Sequence, residues 1–351
     1  MPIFFLFLLL LPLSLFSFEA LPENLPFYKI TTEKELSKIY KKKIEPHFTR
    51  GEDSYFRGEN NISIHYMAFT VFHERGSIVI SNGRTEAIVK YKELIYDLNQ
   101  NGYSLFLIDH RGQGFSGRMN VDQQMGHVDD FNNYIYDLHR FVTQKVKPRK
   151  PKYLYLLGHS MGGAIAVRYL EMFDDGFDAT VLTSPMLQPN LFTANTSTLL
   201  CKVMALKKDK KRYAPGQKDY DKERVTFKDN LLTHSKLRFD IAHQEMAEHP
   251  YAKIGGPSVG WVQNACKASV LAVEEAEKIK VPLLVLRGSE DKIVNPKAED
   301  TFCQSMGGLC RGYEIEGAWH ELLVEKDRYR SETLQAILTF FDLLENAKER
   351  D

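Results

Sequence analysis

The sequence is poor in cysteine, in charge of one sign and in long apolar runs, and each shortage removes a class of protein. Four cysteines, Cys201, Cys266, Cys303 and Cys310, in 351 residues are too few for a disulfide-built scaffold, so a hydrophobic core must hold the fold. Lysine plus arginine and aspartate plus glutamate are both 46, and without net charge there is no bulk pull toward nucleic acid. There is no His-Glu-x-x-His, no cysteine pair at zinc spacing and no glycine-rich phosphate loop, so no metal or cofactor is expected. Internal repeats and low-complexity tracts are missing too. The one strongly apolar run is PIFFLFLLLLPLSLFSF at 2–18, slightly short of the about 20 residues of a spanning helix. It reads as a leader over 1–20, a cleaved signal peptide with small residues Ser14, Ser17 and Ala20 or a retained anchor, although no lysine or arginine precedes it. A misassigned start is the remaining alternative. Either kind of leader places the body on the extracytoplasmic side, where Cys303 and Cys310, seven apart, are able to pair; free buried thiols are the other reading.

What is present is an ordinary globular composition, 43% hydrophobic and 26% charged, with length enough for a large core. From about residue 62, strand-like apolar runs alternate with amphipathic stretches, as in a mostly parallel sheet covered by helices. Strands are expected at 62–72, 77–81, 103–108, 153–157, 179–183, 282–287 and 313–315, with helices at 86–100, 130–146, 163–173, 296–305 and 328–348. The four residues His73 to Gly76 suggest that the first two strands form an antiparallel hairpin. The rhythm stops over 188–280, which has a basic run, Lys207 to Arg212, and no convincing strand. This segment is expected to be an insertion into one catalytic core made of 21–187 and 281–351. The basic run is foremost a solvated face, with attraction to an anionic lipid surface as the sharper reading.

Chemistry enters at Gly158-His159-Ser160-Met161-Gly162. Glycine, 22 of 351 residues, would flank a serine in this way by chance about once in 250 serines. Here the pattern also follows an apolar strand and opens a helix, the setting in which a strained turn exposes a nucleophilic hydroxyl. A serine hydroxyl needs a histidine base, and the histidine needs a carboxylate to fix its tautomer. In chain order an acid and then a histidine should follow. Glu290 and Asp291 stand after the strand at 282–287; Asp291 is preferred because it precedes Ile293-Val294 and the helix-starting Pro296, with Glu290 as fallback. His320 lies in a loop just past the last strand. The oxyanion calls for two backbone donors: Met161, after the serine, and Arg84, in the loop Asn82-Gly83-Arg84-Thr85-Glu86. His159 is read as packing or hydrogen bonding, and Asp109 and His110 as structural residues of a tight loop.

The segments SNGRTEAIVKYKELIYDL, IDHRGQGFSGR, MGHVDDFNNYIYDL, GHSMGG, RGSEDKIV and GAWH, spread over most of 60–347, resemble the bacterial lysophospholipase L2 group and, more distantly, the monoglyceride lipases of the α/β-hydrolase superfamily. The resemblance implies an eight-stranded, mostly parallel sheet with an inserted helical cap at 188–280, and Ser160, Asp291 and His320 as nucleophile, acid and base. The monoglyceride lipases would carry His-Gly where this chain has Asn82-Gly83. The expected activity is hydrolysis of carboxylic esters of single-chain lipids through an acyl-enzyme on Ser160, with a lysolipid or monoacylglycerol as substrate and peripheral contact with a membrane. A monoacylglycerol lipase, a general carboxylesterase and a proline-specific aminopeptidase are the alternatives. Leu191, Phe192, Leu199, Leu200 and Trp261 are candidates for an acyl-chain lining; other substrate-binding residues are not assigned.

Overall fold

The computed structural model describes residues 27–349 apart from 121, 174–175, 190–200, 202 and 221–225. The leader at 1–20 and the lining candidates Leu191, Phe192, Leu199 and Leu200 lie outside the described residues.

One eight-stranded sheet organises the chain: β1 (Glu52–Arg57), β2 (Ser63–Phe69), β3 (Gly76–Ser81), β4 (Tyr103–Ile108), β5 (Leu154–His159), β6 (Ala179–Thr183), β7 (Leu283–Gly288) and β8 (Cys310–Ile315), in the order β1-β2-β4-β3-β5-β6-β7-β8. From β4 across to β8 every neighbouring pair is parallel. β3, β4, β5 and β6 are buried along their whole length, which is why they read as continuous apolar runs in the sequence. The sheet is sandwiched by two apolar layers. On one side Val79, Phe106 and Leu156 pack with Ile135, Phe141 and Ile165 of α3 (Asn132–Phe141) and α4 (Met161–Met172). On the other, Ile80, Leu105 and Leu157 meet Leu94 and Ile95 of α2 (Lys92–Gln100), which comes after the short α1 (Glu33–Ile39) near the N-terminus, and Leu334, Ile337 and Phe341 of α8 (Asp327–Lys348).

Two features differ from the expectation. β2 and β3 are not a hairpin: β4 lies between them, antiparallel to β2 and parallel to β3. Crossing one intervening strand spans only about 10 Å, within reach of residues 70–75, so a short connection does not fix adjacency. The eighth strand, Glu52–Arg57, sits at the antiparallel edge, where only Phe56 is buried; its charged sequence, EDSYFR, blunts an open edge and hides the strand from a hydrophobicity reading.

After β6 the chain leaves the sheet, and no described residue between 188 and 280 joins it. That stretch contributes α5 (Lys236–Glu248) and α6 (Val259–Glu274), started by the hydroxyls of Ser235 and Ser258, which accept from the N–H groups of Arg238 and Trp261. It returns through β7, then α7 (Pro296–Met306), which Asn295 caps with proline in the first turn. All four cysteines are paired, Cys201 with Cys266 and Cys303 with Cys310. The first bridge joins two points of the 188–280 stretch; the second joins α7 to β8.

A hydrogen-bonded Ser-His-Asp chain in an apolar chamber

Ser160 is the residue between β5 and α4, held at φ 51°, ψ −117°, a conformation costly for a residue with a side chain. The glycines around it make the turn sterically feasible. A Cβ on Gly158 would come within 2.8 Å of the Gly163 Cα, and one on Gly163 within 2.8 Å of the Pro185 Cβ. A Cβ on Gly162 would collide with the carbonyl oxygen of Ser81 on the neighbouring strand. The Ser160 N–H donates to the Thr183 carbonyl (3.0 Å), which pins the turn to the end of β6.

The loops after β7 and β8 bring the partners in. His320 Nε2 lies 3.0 Å from Ser160 Oγ, and its Nδ1 lies 2.7 Å from Asp291 Oδ2. The other carboxylate oxygen of Asp291 accepts from the N–H groups of Ile293 (2.7 Å) and Val294 (3.3 Å). Burial pushes the Asp291 carboxyl up, but the hydrogen bond and charge of His320 and the two N–H groups outweigh it and hold the carboxyl below its ordinary value. Glu290, the fallback acid, points elsewhere and accepts from the Trp319 indole N–H at 3.3 Å. The two loops approach closely because the last residue of β7 is Gly288, where a Cβ would strike the Ala318 carbonyl.

The N–H groups of Met161 and Arg84 are not claimed by any other group among the described residues. Three polar side chains hold the loop that carries Arg84. Glu86 accepts from the Gly83 N–H (2.5 Å), Gln113 Nε2 donates to the Gly83 (2.7 Å) and Glu86 (3.1 Å) carbonyls, and Asp109 accepts from the Ile88 N–H (2.9 Å). Burial would raise Glu86; the Lys90 ammonium, the His159 ring and hydrogen bonds from Lys90 and Tyr91 outweigh it and bring it down to about 2. Asp109 also takes a 2.7 Å hydrogen bond from His65. His110 is buried beneath the site, with Nε2 2.9 Å from the Ser81 hydroxyl, and burial brings it down to about 3, so it is neutral. His159 is buried too; its Nδ1 donates toward Thr183 (3.0 Å to Oγ1) rather than toward Ser160. The sequence contained a trace of this support in Glu86 and Lys90 four apart, but nothing in it singles out Gln113 or the far partner Glu321, which binds Lys90 at 2.7 Å.

Ser160 and His320 open into a chamber of about 350 Å³ whose apolar wall includes Met186, Trp261, Val262, Ala265, Ile293 and Val294. Trp261, alone among the named lining candidates that are described, faces it. No group of His, Cys, Asp and Glu among the described residues is arranged to hold a metal ion.

Comparison with known proteins places the chain in a family. The profile of the family described as "Serine aminopeptidase, S33" matches residues 73–327. Lysophospholipase L2 of Escherichia coli is 36% identical over 301 residues, 83% of this chain and 87% of that protein. Monoglyceride lipase of Rattus norvegicus is 28% identical, with 75% and 81% covered. Among solved structures, a monoglyceride lipase from Saccharomyces cerevisiae superposes with a TM-score of 0.68 over 84% of this chain and 96% of that one, at 19% identity, a likeness of fold.

Proposed function

The chain belongs to the serine aminopeptidase S33 family of α/β-hydrolases, and from that premise we propose that it is a lysophospholipase that cleaves the ester of single-chain lipids at Ser160. The observation that carries the reading is the hydrogen-bonded chain Ser160, His320, Asp291 (3.0 and 2.7 Å) set in the wall of an apolar chamber. Ser160 Oγ attacks the acyl carbonyl carbon while His320 Nε2 takes its proton; Asp291 holds the imidazole tautomer and stabilises the imidazolium. The N–H groups of Met161 and Arg84 receive the oxyanion, with the N-terminus of α4 favouring the charge. His320 returns the proton to the departing glycerol oxygen, leaving an acyl-enzyme. Water, deprotonated by His320, then releases the fatty acid.

The apolar wall suits one acyl chain, and the substrates named for the relatives, lysophospholipid and monoglyceride, have one chain each. Residues 188–280 act as a cap, since Trp261, Val262 and Ala265 of α6 close the chamber. An aminopeptidase would need a carboxylate for the substrate amine. Glu86 and Glu321 beside the serine are both occupied by Lys90 (2.5 and 2.7 Å), which argues against that reading.

We also place the protein outside the cytoplasm and against a membrane. Two disulfides suit an oxidising compartment, and the apolar leader supplies a route there. Among the described residues no helix is long and apolar enough to cross a membrane. Surface contact falls instead to the exposed Val203 and Leu206 beside the basic run at 207–212.

Ser160→Ala tests the reaction. Hydrolysis of lysophosphatidylcholine should fall by about 10⁶-fold with an unchanged circular dichroism spectrum and melting temperature. Retained turnover in a folded variant would overturn the mechanism, and equal rates on lysophospholipid, monoacylglycerol and a short synthetic ester would reduce the protein to a general carboxylesterase.

A further inference from the structure

Beside the Ser160 chamber lies a second one of about 430 Å³, and Arg84, Glu86, Gln217, Leu232 and Glu321 face both. Most charges along this wall are matched. Glu86 and Glu321 share Lys90, and Arg238, deeper in the second chamber, holds Glu93 and Asp327 at 2.9 Å each.

Arg84 is the exception. No carboxylate among the described residues pairs with its guanidinium. Nη2 donates to the Gly255 carbonyl at 2.8 Å, the Cζ stands 5.0 Å from the centre of the Trp261 ring, and the solvent-shielded Nε has no acceptor among the described residues. Burial without a counter-charge brings this guanidinium down to about 10. The side chain as a whole is part-buried, but its Nε is shielded from solvent, and a buried donor with no acceptor is costly. The side chain is nevertheless fixed in place: a Cβ on Gly126 would come within 2.8 Å of Nη2, and the Gly255 carbonyl and the Trp261 face hold the other sides. A fixed guanidinium on the wall common to two chambers, with no carboxylate partner among the described residues, is a site for an anion.

We propose that the Arg84 side chain binds the phosphate of the lysophospholipid head group. The inference rests on the ester-hydrolase reading above. One residue then serves both ends of the polar part of the substrate: its backbone N–H faces the acyl carbonyl at Ser160, and its guanidinium takes the phosphate carried by the same glycerol. The acyl chain lies against Val262, Ala265 and Ile293, and the head group extends into the second chamber. A monoacylglycerol fills the first chamber equally well but leaves the cation unmatched.

The test uses the full chain and compares kcat/KM for lysophosphatidylcholine and for a monoacylglycerol with the same acyl chain. In Arg84→Gln the ratio of the two should fall by about 10- to 100-fold, the range of a charge-assisted hydrogen-bonded contact, with the change mainly in KM for the lysophospholipid. Arg84→Lys, which keeps the charge but loses the fork, should restore part of the ratio. Independently of any variant, glycerophosphocholine should inhibit wild-type hydrolysis of a short neutral ester more strongly than inorganic phosphate does. An unchanged ratio in folded Arg84→Gln would overturn the assignment of Arg84 while leaving the esterase intact. Equal inhibition by inorganic phosphate, lost in Arg84→Gln, would overturn the head-group role in favour of a free-phosphate site. A wild-type protein that cleaves none of these lipids would defeat the enzymatic reading itself.

Discussion

The crest of the sheet and the 188–280 stretch that we propose as its cap are built on different principles. At the crest, Ser160, Asp291 and His320 each stand just beyond the C-terminal end of a parallel strand, and backbone sterics fix the geometry: Gly158, Gly162, Gly163 and Gly288 leave no room for a Cβ. Among the described residues the cap has no strand ladder to hold it. It is fastened to the core by separate long-range anchors, the Arg238 ion pairs and Glu245, which accepts from the Tyr40 hydroxyl at 2.7 Å and pairs with Lys92, while the Cys201–Cys266 bridge ties two of its own points together. On the proposed reading, reaction chemistry resides in a frame tolerating almost no steric change, whereas choice of substrate resides in side chains carried by a frame that is tied down at points. Perturbing one region should leave the other's property standing.

The largest expected effect is at the crest. Asp291→Asn should lower kcat by about 10⁴-fold, because an amide favours the wrong imidazole tautomer and does not stabilise the imidazolium, while the lysophospholipid-to-monoacylglycerol ratio stays as it was. The same variant carries a pH signature. The Asp291 carboxyl is held below its ordinary value of about 3.9, so its contribution to stability is complete above about pH 4 and is lost as pH falls through the folded value. Melting temperatures from pH 7 to pH 3 should show the gap between wild type and Asp291→Asn closing toward acid. A gap that widened would mean that the carboxylate is not the stabilised form.

A smaller effect, on stability rather than turnover, comes from untying the cap. The Cys201–Cys266 bridge closes a separation of 65 residues and Cys303–Cys310 one of 7, and loop-closure entropy gives about 4 kcal/mol for the first against about 2 kcal/mol for the second. Cys201→Ser/Cys266→Ser should lose more in a urea titration than Cys303→Ser/Cys310→Ser. It should also raise KM for lipid, because Cys266 lines the Ser160 chamber, with kcat on a short ester changed much less. The reverse order of stability would mean that the cap contributes little to the folded state.

The same contrast governs what the sequence discloses. Crest residues are readable because the chemistry requires local patterns: Gly-x-Ser-x-Gly between an apolar strand and a helix, an acid after the next-to-last strand, a histidine after the last. Seven of the eight strands are readable as apolar runs for the same reason. β1 is not, since an edge strand is selected against apolarity, and the place of β4 between β2 and β3 is a decision of packing that connection length does not encode. The Cys201–Cys266 pairing and the lone guanidinium of Arg84 are joint properties of segments far apart in the chain. Arg84 is identifiable as a loop backbone; that its side chain meets Gly126, Gly255 and Trp261, with no carboxylate partner among the described residues, is decided by segments distant in the chain.

The smallest effect belongs to the outer face of the cap. Val203 and Leu206 are 41% and 81% exposed, and the run at 207–212 that follows is fastened from behind: Gln263 donates to the Met204 and Lys207 carbonyls, and the Val259 and Gly260 N–H groups to those of Arg212 and Lys210. The basic side chains therefore stand outward on the start of α6, the helix that brings Trp261 to the chamber. Each such charge near an anionic bilayer contributes about 1 kcal/mol at low salt. Replacing Lys207 and Lys208 by Gln should thus weaken sedimentation with phosphatidylglycerol vesicles by about 5-fold per charge, and the difference should vanish in high salt. Turnover of a soluble short ester should be the same in both proteins, because the crest takes no part in the contact. Should the double variant bind vesicles as well as the parent at low salt, the run is only a solvated face, and apolar contact through Val203 and Leu206 is left to bring the cap to the lipid.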